Sequence, residues 1–333
     1  MIEGKLPPDL LEKLVLRVMP TSDPRVLVGP RLGEDAAVID MGDRVIVVHS
    51  DPITGAVERI GWYAIHIACN DVAATGARPR WVLPVVLVPK GRIDLVAEIA
   101  SDIACAAVEL GVAVVGGHTE ATGWLDRPIV SVTAVGEAPR NGYVTSSGAR
   151  PGDVIIATKA VALEGTSILA RDYRERLADK VPEDALERAA GFIREISVVR
   201  DAMLAVETGG VTALHDPTEG GFLGGVYEMA VASGVGARVY EDRVPVRKET
   251  RLICRAMGVD PLKLISSGML LIAVSRDKAE RVVDTLRAAG IEATVVGEFN
   301  DTGVVELVRR DRSIETVREL PMDELWKISG KEL

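Results

Sequence analysis

The sequence contains no glutamine and only three asparagines, Asn70, Asn141 and Asn300. Scarcity of thermolabile amides accompanies adaptation to heat, so a thermophilic source is expected; GC-rich coding is the alternative explanation for the accompanying excess of Arg over Lys. Cysteine is equally sparse. Cys69, Cys105 and Cys254 stand far apart with no Cys-x-x-Cys pair, which argues against both a zinc ribbon and a disulfide framework. Basic residues are outnumbered, 39 Lys plus Arg against 49 Asp plus Glu, for a formal charge of −10. That balance argues against an extended nucleic-acid footprint, but not against a nucleotide, because metal ions and backbone amides can hold a small anion. No apolar run approaches the ~20 residues needed to span a bilayer. The longest, Trp81 to Val88, is interrupted by Pro84, and the first eight residues carry Glu3 and Lys5 without an apolar stretch. No signal peptide or membrane association is expected, and the cytoplasm is the expected location.

What is present is an ordinary folded composition, 47% hydrophobic and 26% charged over 333 residues, enough for two domains. Strands are predicted at Val45–His49, ended by Pro52, and at Trp81–Val88, Val112–Val115 and Ile129–Val135. Helices are predicted at Trp62–Thr75, stopped by Gly76, and at Arg92–Leu110, closed by Gly111. The first half thus reads β-α-β-α-β-β, an α+β layer of helices on one sheet. Gly148–Gly152 marks a boundary, dividing the chain into domains at 1–147 and 148–333. The second half repeats the style. Strands fall at Asp153–Thr158, Met269–Val274, Glu292–Phe299 and Val304–Arg309, with helices at Glu219–Ala232 and from a Ser275 cap to Gly290. The segment after Pro321 is expected to be peripheral.

Several carboxylates sit where a fold gains nothing from them. Asp35 lies between a glycine turn at Gly33 and the apolar strand Ala36–Ile39; Asp51 ends a buried strand; Asp71 interrupts an apolar helix. A charge so placed costs several kcal/mol unless paired or metal-bound. His118 and Glu120 follow Gly116-Gly117, and alternation points both to one face. Oxygen ligands gathered from several strand ends suit Mg²⁺ with substrate phosphates, and Gly33, Gly116 and Gly117 would let backbone amides approach those phosphates. Each residue also has a plainer reading. Asp35 fits a turn, Asp51 a strand terminator, Asp71 a partner for a buried Arg78, and His118 a structural histidine. A second cluster, His215 to Phe222, could present helix N–H groups to an anion, although helix capping with tight packing accounts for its spacing equally well.

Gly33–Ala37, Ser50-Asp51, Asn70–Pro79, Gly116–Glu120, Gly165–Ala170, Asp216–Gly221 and Ser266–Val274 together resemble the aminoimidazole ribonucleotide (AIR) synthase, or PurM-related, superfamily. Their order is most similar to its hydrogenase expression/formation (HypE) branch. The resemblance implies a homodimer whose N-terminal sheets join across a two-fold axis, with ATP and Mg²⁺ near that interface. It implies an enzyme that phosphorylates an amide or carbonyl oxygen, after which loss of phosphate drives dehydration. Carried over by motif, Asp35, Asp51 and Asp71 would hold Mg²⁺, and Gly116, Gly117 and Thr119 would line the phosphate loop. Asp216 and Glu219 would border the acceptor, and Lys159 would reach ATP unless it is a solvated surface lysine. Two departures stand out. His118 occupies the place of an acidic residue, which Glu120 could replace, and the Pro-Arg-Ile-Cys tail of that branch has no counterpart after Cys254. The acceptor is therefore expected to differ. A nucleotide-binding maturation scaffold working with a partner, and a small-molecule kinase resembling thiamine-monophosphate kinase, are the alternatives.

Overall fold

The computed structural model describes residues 5–20 and 22–329. The first half runs α1 (Pro8–Leu14), β1 (Val26–Val28), β2 (Ala37–Asp40), β3 (Arg44–Ile53), α2 (Ile60–Ala74), β4 (Arg78–Pro89), α3 (Asp94–Leu110), β5 (Ala113–Val114), β6 (His118–Thr122) and β7 (Ile129–Pro139). These strands make one sheet in the order β1-β2-β3-β7-β4-β5, with β6 paired to β4. Strand β7 alternates strictly, burying Val130, Val132, Ala134, Gly136 and Ala138 on the face that α2 covers.

Every residue of α2 is buried. A helix apolar all round needs cover on both sides, and here α3 and the second half of the chain together supply the outer cover. The Asn70 side chain fixes the contact: its amide donates to the Ile196 carbonyl and its oxygen accepts the Val198 N–H, both at 2.8 Å. That clamp sets the rotation of α2 and therefore the direction of its neighbour, Asp71. On the sheet side Gly136 is required, since a Cβ there would lie 2.4 Å from Val72 Cγ1.

The second half runs β8 (Val154–Thr158), α4 (Leu163–Asp172), α5 (Arg174–Leu177), α6 (Glu183–Ala190), α7 (Val199–Thr208), β9 (Val211–His215), α8 (Gly221–Ser233), β10 (Gly236–Tyr240), α9 (Lys248–Met257), β11 (Leu271–Val274), α10 (Ala279–Ala288), β12 (Ala293–Asn300), β13 (Val305–Val308), β14 (Ile314–Val317) and α11 (Glu324–Ser329). Its sheet is ordered β14-β13-β10-β12-β8-β11-β9. The α+β class expected from the sequence holds.

Three local expectations are corrected. Strand β3 does not stop at Pro52 but continues to Ile53, because β7 pairs with it throughout while β2 leaves it after Val48, and a proline is tolerated where one side of a strand is free. Ser275 opens a turn, its carbonyl accepting the Lys278 N–H, and α10 begins only at Ala279. The segment after Pro321 is not peripheral: Leu325 and Ile328 are buried, and Asp323 accepts the backbone N–H groups of Gly220 and Leu325, each at 2.8 Å. The last four residues, where a tail cysteine would fall, lie outside the described residues.

Candidate active site

Strand β3 buries Val45 and Val47 toward α2, and its alternation carries His49 and Asp51 onto the same face. Asp71 on α2 meets them there. Ligand-capable atoms of His49, Asp51 and Asp71 all lie within 4.8 Å of one another, as do those of Asp35, Asp71 and Asp216. Asp71 belongs to both groups. Arg78, the partner a structural role would require, is exposed and lies 4.0 Å from Glu207 instead.

The electrostatics are those of a crowded acidic cleft. Burial, then Asp35 and Asp51, push the Asp71 carboxyl well above the usual carboxylate range. Burial, then Asp71 and Asp35, do the same to Asp216, and burial raises Asp51. Both carboxylate oxygens of Asp216 are buried without a hydrogen-bond partner among the described residues. His49 Nδ1 donates to the Asp35 carbonyl oxygen, which leaves Nε2 as a lone pair facing Asp71 Oδ2 at 3.3 Å. Burial holds that imidazole below its ordinary pKa, hence neutral. Two lone-pair atoms facing each other call for a proton or a cation between them.

His215, which the sequence offered only as the start of an anion-binding cluster, and Glu228 and Lys5, which it did not single out, complete the cleft. His215 Nδ1 lies 2.7 Å from Asp35 Oδ1 and its Nε2 3.1 Å from Glu228 Oε2. Burial opposes its charge, but Asp35 and Glu228 outweigh it and raise the imidazole well above its ordinary pKa. Glu228 is held at about 2 in spite of burial, because Lys5 and His215 face it. Lys5 reaches over the cleft, its Nζ donating to Thr218 Oγ1 at 3.0 Å and its backbone N–H to Glu219 Oε2 at 2.8 Å. The i, i+2 pairing of His49 with Asp51 was a readable signal. For Lys5 and Glu228 only the tertiary fold brings the groups in. The cavity among these side chains has a volume of about 510 Å³.

Not every predicted residue arrives. Gly33 lines this cavity, but its positive φ of +79° serves a turn packed on α8, where a Cβ would meet Ala232 at 2.9 Å. Within one chain Gly116, Gly117, His118, Thr119 and Glu120 lie apart from it, on the opposite edge of the sheet. His118 and Glu120 do share a face, at 3.0 Å, but are exposed. Gly117 is needed there because a Cβ would sit 2.1 Å from the Pro84 carbonyl oxygen. Lys159 lines a separate cavity, its ammonium engaged by the carbonyls of Glu195 and Ser197 and by Asp201 at 3.3 Å. The α8 N-terminus is not open to an anion either, since Asp323 occupies the Gly220 N–H.

Residues 33–138 match the N-terminal domain of AIR synthase related proteins and residues 150–310 the C-terminal domain. Carbamoyl dehydratase HypE of Azotobacter vinelandii is 34% identical over 72% of this chain and 69% of its own. The chain belongs to the HypE branch of the AIR synthase-related family. Two solved structures share its fold at full length. HypE in complex with ATP superposes with a TM-score of 0.73, at 26% identity, covering 95% of each chain. The HypE chain of a HypE–HypF complex gives 0.76 at 25% identity, covering 93% of this chain and 99% of that one. Among the described residues no helix is long and apolar enough to cross a membrane.

Proposed function

We propose that this chain is an ATP-dependent dehydratase of the HypE type, which phosphorylates the oxygen of a carbamoyl or similar carboxamide group so that the oxygen leaves as phosphate. The observation that carries the reading is the pair of buried, unpartnered Asp216 oxygens facing Asp35 and Asp71. A hard divalent cation with oxygen ligands satisfies them, and Mg²⁺ fits this donor set. Asp35, Asp51, Asp71 and Asp216 would hold it, with His49 behind them. The ion would neutralise the charge on the triphosphate during transfer. Lys5 would close over the phosphates, and Asp216 and Glu219 would border the acceptor. The names of the HypE relatives and the ATP-bound HypE structure support the reaction class. The HypE–HypF complex supports an acceptor carried on a partner protein, and hydrogenase maturation as the setting.

We place the domain division at 147/148, between Pro139 and Val154, where one sheet ends and the other begins. The loop Gly116–Glu120 would act from a second copy of the chain. The edge that carries it exposes Val114, Val115 and Trp124, the last at 95%, an apolar surface suited to pairing. A protein almost without side-chain amides should also be heat-stable. Calorimetric titration with ATP tests the central reading. Heat is expected with Mg²⁺ present and little without it; no heat in either condition overturns it.

A further inference from the structure

Residues 193–198 run from a 3₁₀ turn into α7, outside both sheets, and their path is held by side chains. From α2, Trp62 Nε1 donates to the Ile193 carbonyl at 3.1 Å, and Asn70 binds the Ile196 carbonyl and the Val198 N–H, each at 2.8 Å. The carbonyls between them, of Glu195 and Ser197, accept from the Lys159 ammonium at 3.0 and 2.5 Å. Asp201, buried in the first turn of α7, balances that charge at 3.3 Å. Asn70 and Lys159 therefore hold the same short stretch of chain at alternating residues. Lys159 does so from a strained backbone. Its φ of +52° lies in the left-handed region that favours glycine, and such a conformation persists only where the surroundings over-determine it. The residue lines no part of the carboxylate cleft. It opens instead, with Glu195, Ser197 and Asp201, onto a cavity of about 640 Å³.

We propose that Lys159 is a positioning residue for the carboxylate cluster, acting through residues 195–198 and Asn70. Its ammonium fixes that stretch, the stretch fixes the Asn70 side chain, and Asn70 sets the rotation of α2 that aims Asp71 at Asp35, Asp51 and Asp216. The inference rests on the Mg-ATP reading above and adds to it a control seated away from the cleft. Asp71 is the sensitive point, because it is common to both ligand groups found among the described residues. Mg²⁺ demands near-ideal octahedral geometry, so a small turn of α2 is enough to weaken its binding. In enzymes generally, a misplacement of about 1 Å caused by a distant substitution costs about 10²-fold in rate.

The test uses the full chain carrying Lys159→Gly, since glycine adopts this φ freely and only the ammonium arm is lost. Calorimetric titration should show the Kd for Mg-ATP raised by about tenfold or more. Hydrogen exchange should show the Val198 amide, released from Asn70, exchanging about tenfold faster or more. n-Propylammonium, which can enter by the cavity, should recover part of both losses. Tetramethylammonium, equal in charge but without N–H donors, should recover neither. Lys159→Met keeps the aliphatic stem in place, so it should show the same losses with no rescue by either ion; it carries the test if the glycine variant does not fold. A lysine that served stability alone would lower the melting temperature and leave the Mg-ATP Kd within about twofold of wild type, and that result overturns the proposal. Rescue by neither ion, or by both alike, in Lys159→Gly overturns it too. Wild type that binds no Mg-ATP overturns the nucleotide reading instead, and Lys159 is then judged on Asp71 itself. The infrared band of that raised carboxyl, identified by its loss in Asp71→Asn, should shift in Lys159→Gly, and an unmoved band ends the positioning role.

Discussion

At the scale of single residues the cleft is an arrangement held in tension. Asp35, Asp51, Asp71 and Asp216 crowd together, with Lys5 and His215 as cationic counterweights and Arg31 on the cavity wall. Asp71 belongs to both ligand groups, so Asp71→Asn should abolish Mg²⁺-dependent ATP hydrolysis. Because it also removes a repelling charge, the metal-free variant should melt at or above the wild-type temperature. Undiminished hydrolysis would remove Asp71 from the machinery. The sequence exposed these aspartates because a charge inside an apolar run is costly and therefore conspicuous. It concealed Glu164, a buried carboxyl near Asp51, for the opposite reason. Beside Gly165 at a helix start, a glutamate looks like an ordinary first-turn acid, and only the closed packing of α4 against the Ser266-Ser267 turn makes it unusual.

At the scale of elements α2 is the part on which the site depends. It touches the first sheet on one side, the second half on the other, and carries Asn70 and Asp71 side by side. Gly136→Ala would drive a methyl into Val72 and the Arg78 carbonyl, 2.7 Å away, and overpacking of that kind costs about 1–3 kcal/mol. Chemical denaturation should show that loss together with weakened Mg-ATP binding, although residue 136 lines no part of the cleft. An effect on stability alone would mean that α2 does not transmit the shift. The strands and helices of the first half were legible because their apolar periods are long and end in glycines with positive φ, such as Gly76 and Gly111. The three-residue strand β1 was not, since so short a run carries too little period to read, whereas the apolar run ending at Ile39 did announce β2. Lys159 misled because a lysine after a strand looks like a phosphate ligand until its three partners are seen.

At the scale of the whole molecule, the raised carboxyls predict an unusual response to pH. Asp51, Asp71 and Asp216 are raised, and Glu164 and Asp323 titrate at about 7, whereas in the unfolded chain such groups titrate near 4. Between those values the folded state retains protons that the unfolded state has released, so stability falls as pH rises. The raised His215 acts in the same direction, its stabilisation being lost as pH passes through its folded value. Glu228, at about 2, adds stability with rising pH below about 4, as lowered carboxyls such as Asp23 do, and the lowered imidazoles of His49 and His66 add it up to about 6.5, two groups against the five raised carboxyls and His215. The melting temperature of the metal-free protein should therefore drop from pH 5 to pH 8, and Mg²⁺ should restore more of it at pH 8 than at pH 5. An equal effect of Mg²⁺ at both would separate the ion from these carboxylates. Pairing of two copies is testable by mixing. Asp71→Asn and Gly117→Val, each inactive alone, should regain partial ATP hydrolysis as a mixed dimer if the loop acts across the interface, and should remain inactive if each chain is self-sufficient.

Glu219 accepts the Lys5 backbone N–H and also the indole N–H of Trp326, at 3.1 Å. Residues 5 and 326 are thus tied to one carboxylate on the rim of the cleft, and a ligand that claims Glu219 must release both. The indole would then change its surroundings with every binding event. The emission of Trp326 is accordingly a native gauge of occupancy, one that needs no attached dye.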